Sequence, residues 1–557
     1  MVVGVSQQSL PAILREHAGR APRSWALTFV GAEGGPSLRL TYGELWARVS
    51  ALAARLREEG CVGSTVLLLA RSEVDVSLGF LACLVAGAIA VPLGVPDQAR
   101  LVRFRARMQA VVRDARPAAI LGGAVEREQL QKLGDLEELN QIRWICIDQQ
   151  SSAQSQETSS NVVELTNLPD PDSVAWLQYT SGSTSNPKGV LVTHRNLLEN
   201  ERMIAAVHGG IGPGLSWLPL SHDMGLVGGL LQPLFLGTEV LLMSPVSFLR
   251  RPARWLQLIS EHRLYFSAAP SFGYDYCIRQ VRDEDLQGVD LSCWRVAFNG
   301  AEPVRADILA RFVERFGRWG VSPELFYPCY GLAEATLLVS GRRPAKTAPR
   351  ILQVDSAALA RGQVRQLDAG TGSIEPRAQG SSVLVSCGQV AAGLEVAIVE
   401  AEHARSLGDG EVGEIWVRGA SVAAGYWRDD EASARTFGAR VAGEPGEGQP
   451  FLRTGDLGFL QDGELFVTGR LKDLVILDGR NHYPQDLELA VESCHPAVVL
   501  GGVVAFSSEF DQREALSVLV EIKQLGDEAT RREVVDAARR ALVEEHGVSP
   551  RRLVLLR

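Results

Sequence analysis

The sequence predicts an α/β fold with parallel sheets, divided into at least two domains. Helical patterns alternate with short apolar strands through most of the chain, an order typical of parallel sheets. A length of 557 residues exceeds what one hydrophobic core usually serves. With 46% hydrophobic and 22% charged residues, the composition is that of an ordinary globular protein. We therefore expect several α/β units rather than a single layered domain.

Three stretches near the start illustrate this alternation. Residues 39–59 carry leucine and valine at helical spacing, and Thr41 is placed to begin that helix. Thr65–Leu69 follows as an apolar strand. Ser77–Val95 is long enough, without charge, to resemble a membrane span. Its glycines and its proline favour a buried helix followed by a strand, so we expect no stable membrane insertion.

Charge and cysteine content narrow the classes of function. The net charge of −10 and the pI near 5.6 argue against a surface that binds nucleic acid. The eight cysteines are scattered without metal-ligand or redox spacing, which favours reduced thiols. The first residues lack the basic and apolar regions of a secretory signal. These observations predict a cytoplasmic protein.

A phosphate-binding loop is the strongest local signal. Two apolar strands in 174–192 flank the sequence SGSTSNPKG, in which small residues allow backbone N–H groups to approach phosphate oxygens. Lys188 adds a positive charge, and Thr193 is a plausible N-cap for the helix that follows. The spacing differs from that of a Walker loop. Taken alone, such a loop is more often a solvent turn.

The run YTSGSTSNPKGVLVTH resembles the signature of the adenylate-forming superfamily, which includes acyl-CoA synthetases, luciferases and peptide-synthetase adenylation domains. The resemblance implies a large N-terminal adenylate-forming domain of several α/β subdomains, residues 1–471. It also implies a small mobile C-terminal α+β domain, residues 472–557. The residues expected to hold the β- and γ-phosphates of ATP are Thr180, Ser181, Gly182, Ser183, Thr184 and Lys188.

Further segments match the superfamily in the same order along the chain. AFNGAE would line the adenine with Asn299, Gly300, Ala301 and Glu302. In YPCYGLAEAT the resemblance implies that Tyr330 stacks on the adenine beside Gly331, and that Glu334 holds Mg²⁺, a hard cation that prefers carboxylates. Alone, Glu334 would be interpreted as an exposed loop acid.

The last matches concern the ribose and the domain boundary. In RTGDLG, Asp456 corresponds to the residue that accepts both ribose hydroxyls, a task suited to a carboxylate. In GRLKD, Arg470 is expected near the ribose and phosphate, and Lys472 at the hinge. One position departs from the family, since Ala333 stands where many members have threonine. Thr336 could supply that hydroxyl instead.

A candidate acyl site follows the phosphate loop. WLPLSHDMGLVGGLLQP resembles the acyl-site motif of the family, and His222 would lie at the carboxylate end of the acid. Alone, His222 is more often a structural residue. The small and apolar residues that follow could leave a tunnel for an alkyl chain, or could be ordinary core.

Within the superfamily the chain is most similar to the fatty acyl-AMP ligases, through phrases such as LPLSHDMGLVGGLLQPL and GRLKDLVILDGRNHYPQDLE. The resemblance implies that a fatty acid is activated with ATP and Mg²⁺ and then passed to the phosphopantetheine arm of an acyl carrier protein. The irregular stretch 342–382 falls where these ligases carry an insertion that hinders chemistry with free CoA; otherwise it is a surface loop.

Two alternatives stay open. One is a long-chain fatty acid–CoA ligase, and the other is a nucleotide- and lipid-binding protein without turnover. The chain stops in the apolar run Leu553–Arg557, where the family continues into a motif containing the adenylation lysine. Lys523 is the only lysine after Lys472 and lacks that context. We therefore expect a C-terminal domain that is apparently truncated and has no adenylation lysine.

Overall fold

The computed structural model describes most of the chain, namely residues 9–31, 34–94, 101–131, 139, 141–147, 168–180, 187–208, 212–341, 347–367, 380–443, 448–477, 480–510, 513–524 and 528–557. Its α-helices are α1 Leu10–Arg20, α2 Tyr42–Glu58, α3 Glu73–Ala86, α4 Leu101–Ala115, α5 Ala124–Gln131, α6 His194–His208, α7 Gln232–Leu236, α8 Pro245–Arg250, α9 Pro252–Glu261, α10 Ser271–Gln280, α11 Ala306–Phe316, α12 Ser356–Leu359, α13 Asp430–Phe437, α14 Pro484–Ser493 and α15 Glu528–His546. A π-helix, Met224–Leu231, precedes α7 directly.

The strands of the first half are β1 Trp25–Val30, β2 Pro36–Thr41, β3 Thr65–Leu69, β4 Ile89–Pro92, β5 Ala119–Gly122, β6 Arg143–Cys146, β7 Val174–Thr180, β8 Lys188–Thr193, β9 Gly214–Ser216, β10 Val240–Met243, β11 Phe266–Ala268, β12 Val296–Asn299 and β13 Phe326–Gly331. Those of the second half are β14 Leu338–Gly341, β15 Ile351–Asp355, β16 Ser381–Val385, β17 Gln389–Val390, β18 Leu394–Glu400, β19 Arg405–Ser406, β20 Gly413–Gly419, β21 Leu452–Gln461, β22 Glu464–Arg470, β23 Val475–Leu477, β24 Arg480–His482, β25 Val498–Phe510, β26 Arg513–Ile522 and β27 Arg552–Leu556.

Two large sheets contain most of these strands. One has six strands in the order β6-β5-β3-β4-β7-β8, parallel except for the last pair. The other has fourteen strands in the order β19-β18-β20-β21-β22-β17-β14-β13-β12-β11-β9-β10-β1-β2. Its run from β13 to β1 is parallel, with helices as crossovers, while both ends are antiparallel. The predicted α/β class is confirmed.

Local predictions near the N-terminus are confirmed in detail. Thr41 caps α2 with a capping box, in which its hydroxyl accepts from Glu44 N–H at 3.3 Å and the Glu44 carboxylate accepts from Thr41 N–H at 2.8 Å. The helix begins at Tyr42, because residues 39–41 complete strand β2. The described part of the apolar stretch, residues 77–94, contains the buried end of α3 and strand β4. Among the described residues, no helix is long and apolar enough to cross a membrane.

The elements after Leu474 have a core of their own. Strands β25, β26 and β27 form a three-stranded sheet, with β27 parallel to β26. One face of this sheet packs against α14 and α15 through a cluster that includes Leu487, Val518 and Val534. Lys523 belongs to this part of the chain, where its ammonium group donates to the Pro496 carbonyl at 2.8 Å.

The stretch 342–382 is more regular than its composition predicts. Its described part contains β15 and α12, and β15 pairs antiparallel with β16 from Ile351↔Val385 to Asp355↔Ser381. The order comes from burial, since Leu352, Val354 and Leu359 share one apolar cluster with residues of β21 and β22. The prediction that this stretch is irregular therefore missed a short two-stranded sheet.

Candidate active site

A cavity of about 890 Å³ lies where the carboxyl ends of β11, β12 and β13 meet. Parallel neighbours bring the residues that follow them to one edge of the sheet, where α/β proteins bind ligands. The π-helix, the β7–β8 pair and the end of β22 complete the wall. The predicted site residues that line the cavity are Thr180, Lys188, His222, Gly300, Ala301, Tyr330, Gly331, Glu334, Arg470 and Lys472.

The other predicted residues lie behind the wall or outside the described part of the chain. Asn299 is fully buried and accepts from the Ser271 hydroxyl at 3.3 Å. The Glu302 carboxylate accepts from Phe272 N–H at 2.7 Å instead of lining the cavity. Ser181, Gly182, Ser183 and Thr184 fall outside the described residues, although Thr180 and Lys188, which flank the loop, pair directly across β7 and β8.

Asp456 is held by two residues of the cavity wall. One carboxylate oxygen accepts from the Tyr330 hydroxyl at 2.7 Å, and the other accepts from Arg470 Nε at 3.0 Å. Burial raises the pKa of Asp456, while Arg470 and Tyr330 lower it. A carboxylate offers about four lone-pair positions, of which these bonds use two. Asp456 itself is buried and lies behind the lining of the cavity. The predicted adenine, ribose and phosphate residues thus form one hydrogen-bonded unit.

Tyr426 connects two predicted catalytic residues and was missed in the sequence. Its hydroxyl donates to Glu334 Oε1 at 3.0 Å, and the Lys188 ammonium lies 4.8 Å from the centre of its ring. A backbone bridge between Val190 and Tyr426 fixes this position against β8. The sequence signal is only an aromatic residue in GYWRDD, which is not distinguishable from core packing before the fold is known.

Lys188 also forms an ion pair with Asp429, with Nζ and Oδ2 3.5 Å apart. Asp429 caps α13 at the same time, since its Oδ1 accepts from Ala432 N–H at 3.0 Å. Both side chains of this ion pair are partly exposed, so solvent weakens the attraction between them. A phosphate group in the cavity would therefore compete with a weak partner for the lysine.

The histidine–aspartate pair lies at the start of the π-helix. Burial, together with the nearby Arg107 charge, lowers the pKa of His222, which favours the neutral imidazole. Asp223 caps the π-helix, because its Oδ1 accepts from Met224 N–H at 2.7 Å, and burial raises its pKa. His222 lines the cavity, as do the neighbouring Asp223 and Met224.

Apolar residues also line the cavity, namely Ile204, Gly228, Phe266, Leu337 and Leu338, together with the polar Gln232. The π-helix contributes glycines with different roles. A Cβ atom at Gly225 would lie 2.3 Å from the Pro219 carbonyl oxygen, and one at Gly229 would lie 2.4 Å from Ser216 Oγ. At Gly228 the nearest atom would be Leu337 Cδ2, at 3.3 Å. Gly225 and Gly229 are thus required by packing, whereas Gly228 faces the open cavity.

The suggestion that Thr336 supplies a hydroxyl to the site is wrong. Thr336 is 1% exposed, and its hydroxyl donates to the Ser421 carbonyl at 2.7 Å. A left-handed backbone, with φ of 72°, directs the residue into the core. Ala333 does line the cavity, without a hydroxyl group.

The match to a family model settles what kind of enzyme this site belongs to. Residues 14–427 match the model for the AMP-binding enzyme. The chain belongs to the AMP-binding enzyme family. It is 40% identical over 523 residues to the medium-chain-fatty-acid–[acyl-carrier-protein] ligase JamA of Moorena producens, covering 93% of this chain and 86% of that protein.

Two further comparisons bear on this AMP-binding enzyme. It is 37% identical over 582 residues to the putative fatty-acid–CoA ligase fadD25 of Mycobacterium tuberculosis, covering 100% of this chain and 94% of the relative. It also superimposes, with a TM-score of 0.75 and 35% identity, on the fatty acyl-adenylate ligase from L. pneumophila in complex with acyl adenylate and pyrophosphate, covering 99% and 93% of the two chains. The predicted resemblance to fatty acyl-AMP ligases is confirmed.

Proposed function

We propose that this enzyme activates a fatty acid with ATP as the acyl-adenylate and then transfers the acyl group to the phosphopantetheine thiol of an acyl carrier protein. The observation that carries the first step is that one cavity is lined both by the charged residues Lys188, Glu334 and Arg470 and by apolar residues such as Phe266, Leu337 and Leu338. Such a lining suits a substrate with an alkyl chain and a carboxylate that must meet a nucleotide.

For this reaction the protein must position the reactants and neutralise the charge of the phosphates. The carboxylate oxygen of the acid attacks the α-phosphorus in line, a new P–O bond forms, and the bond to pyrophosphate breaks. In this mechanism Lys188 neutralises the leaving phosphates, and the hydrogen-bonded unit of Asp456, Tyr330 and Arg470 holds the nucleoside. In the second step a thiolate attacks the acyl carbonyl and AMP leaves.

The residues present fit a magnesium ion beside Glu334. Burial raises the pKa of this carboxyl group, and the charges of Asp223 and Asp456 raise it further. A divalent cation bound to Glu334 would offset this repulsion, and Mg²⁺ typically takes one or two carboxylates plus phosphates. When bound, Mg²⁺ would neutralise charge on the phosphates, and Glu334 would hold it.

The choice of a carrier protein over CoA is supported by contacts of the segment 342–382 with the chain beyond Lys472. Leu352, Val354 and Leu359 of this segment share an apolar cluster with Leu474 and Tyr483, which follow the predicted hinge. The Ser382 hydroxyl also donates to Asp486 Oδ2 on α14 at 2.7 Å. These contacts must break or move if the small domain is to rotate, so they bias its position.

Shortening this segment tests the acceptor. Since Asp355 and Ser381 are paired neighbours in the β15–β16 ladder, residues 356–380 can be replaced by an Asn-Gly turn that closes the hairpin. Of the contacts above, this change removes Leu359, which is 1% exposed, and the burial of a leucine is worth about 2 kcal/mol. A bias reduced by about 2 kcal/mol changes a conformational population by roughly thirtyfold, so acyl-CoA formation should rise by that order. Acyl-CoA and acyl-AMP are quantified by chromatography with the same acid and ATP.

The control is Ser382→Ala, which removes the hydrogen bonds of this hydroxyl with Asp486 and Ser356 and leaves the apolar cluster intact. We expect it to have a small effect on both products, and thermal melts verify that each variant is folded. The intact enzyme should give acyl-AMP, acylated carrier protein and little acyl-CoA. Acyl-CoA formation by the intact enzyme as fast as acyl-AMP formation would favour the CoA ligase instead.

Substitution of Gly228 tests the acyl pocket. A series Gly228→Ala, Gly228→Val and Gly228→Leu should lower kcat/KM progressively for the longest acid accepted, by roughly 10–100-fold for leucine, since each methylene displaced is worth about 1–3 kcal/mol. The shortest acids should be affected little. Pyrophosphate release across a series of saturated acids measures this, and a uniform loss at every chain length would contradict it.

A further inference from the structure

The mouth of the cavity carries an exposed apolar rim, formed by Val246, Leu249 and Phe272. These side chains are 41%, 48% and 45% exposed, and a group of exposed apolar side chains is more informative than a single one. Val246 and Leu249 lie one turn apart on α8, and Phe272 lies at the start of α10. Leu249 and Phe272 also line the cavity, so the rim is continuous with the active site.

Packing beneath the rim keeps its two halves together. The Tyr276 hydroxyl, one turn after Phe272, donates to the Leu249 carbonyl at 2.8 Å. The Trp217 ring stacks on Phe248 at 3.8 Å and meets the edge of Phe272 at 5.8 Å. The rim is therefore an ordered surface, and its exposure is not explained by loose packing.

Two cations adjoin the rim. Arg250 and Arg251 end α8 and are both exposed, and among the described residues neither forms an ion pair. The acidic side chain of Glu302 contacts the rim, since its carboxylate accepts a hydrogen bond from Phe272 N–H. A pair of adjacent arginines contrasts with the net charge of −10 of the whole chain. Locally, the mouth is thus apolar and positive.

We infer that this rim, with Arg250 and Arg251, is the surface on which an acidic carrier protein docks while its phosphopantetheine arm enters the cavity. The inference rests on the proposed function, because the arm must reach the acyl carbonyl while the folded carrier remains outside. An apolar centre with a charged border is the usual anatomy of such an interface. A lipid surface brings no thiol to the acyl carbonyl, so a carrier protein is the occupant that the proposed reaction requires.

The test compares acceptors with and without the carrier body. The double variant Arg250→Glu/Arg251→Glu, and separately Val246→Glu, should lower kcat/KM for a phosphopantetheinylated acyl carrier protein by about tenfold or more, as charge reversal at a rim slows association. Acyl-AMP formation and transfer to free pantetheine should stay within twofold of the wild type. Added salt should weaken wild-type transfer to the carrier more than that of the double variant.

The matched control is Arg539→Glu/Arg540→Glu, an adjacent exposed pair on α15. It makes the same change in charge away from the rim and should leave transfer to the carrier unchanged. Equal losses in the two double variants would overturn the inference, as would an equal loss with free pantetheine.

Binding of the wild type to phosphatidylglycerol vesicles, lost in the Arg250/Arg251 variant without a change in carrier kinetics, would assign the surface to lipid instead. Formation of acyl-AMP without acylation of any carrier would overturn the proposed function, and the docking surface with it.

Discussion

Replacing Glu334 with glutamine should slow acyl-adenylate formation by roughly 10²–10³-fold, the usual cost of removing one electrostatic group aimed at developing charge. Glutamine keeps the shape and can still accept from the Tyr426 hydroxyl, which lies 3.0 Å from Glu334 Oε1 in the wild type. The substitution therefore removes the negative charge of Glu334 and changes little else at this position. Pyrophosphate release at saturating acid, titrated with Mg²⁺, measures the loss.

The variant Tyr426→Phe serves as the control for this experiment. It keeps the carboxylate and the ring beside Lys188 but removes the hydrogen bond, so we expect a weaker effect, seen as a higher Mg²⁺ requirement. Because burial raises the pKa of Glu334, its ionised form is lost at higher pH than for an ordinary glutamate as the solution is acidified. Wild-type activity should fall accordingly on the acid side. A rate for Glu334→Gln within twofold of the wild type would refute the assignment.

Replacing Asp456 with alanine should weaken ATP binding by roughly 2–4 kcal/mol, as expected when hydrogen bonds to a charged group are lost. The structure adds a second reason for a large effect. Asp456 holds Tyr330 and Arg470, so alanine also releases two residues of the proposed nucleotide site and leaves the Tyr330 hydroxyl buried without this acceptor. Calorimetric titration of ATP into both proteins, without fatty acid, gives the difference.

Tyr330→Phe separates these two contributions. Phenylalanine retains a ring for the adenine and leaves Asp456 in place, and only the 2.7 Å hydrogen bond is lost. If Asp456 acts on the ribose, Tyr330→Phe should weaken ATP binding much less than Asp456→Ala. Similar losses in the two variants would mean that Asp456 acts by holding Tyr330, and an unchanged affinity in Asp456→Ala would end the ribose assignment.

Several features of the fold and the site could be predicted from the sequence because they depend on short stretches of chain. The cap at Thr41 follows from a serine-or-threonine pattern with glutamate three residues later, and α3 with β4 follows from an apolar run interrupted by Gly87. The ordered motifs from Thr180 to Lys472 predicted which residues share one cavity, and ten of them line it. In contrast, the β15–β16 pair was missed, since its strands are separated by residues 356–380 and are ordered by contacts with distant strands.

What the sequence by itself determined is the family, the α/β class and the order of the nucleotide motifs, because each is written in local patterns. Only the tertiary structure decided which polar groups meet. It placed Tyr426 between Glu334 and Lys188, turned the Thr336 hydroxyl into the core, and put Asn299 behind the wall of the cavity. The physical reason is that side-chain direction depends on the packing of strands and helices far apart in the chain, which no local spacing encodes.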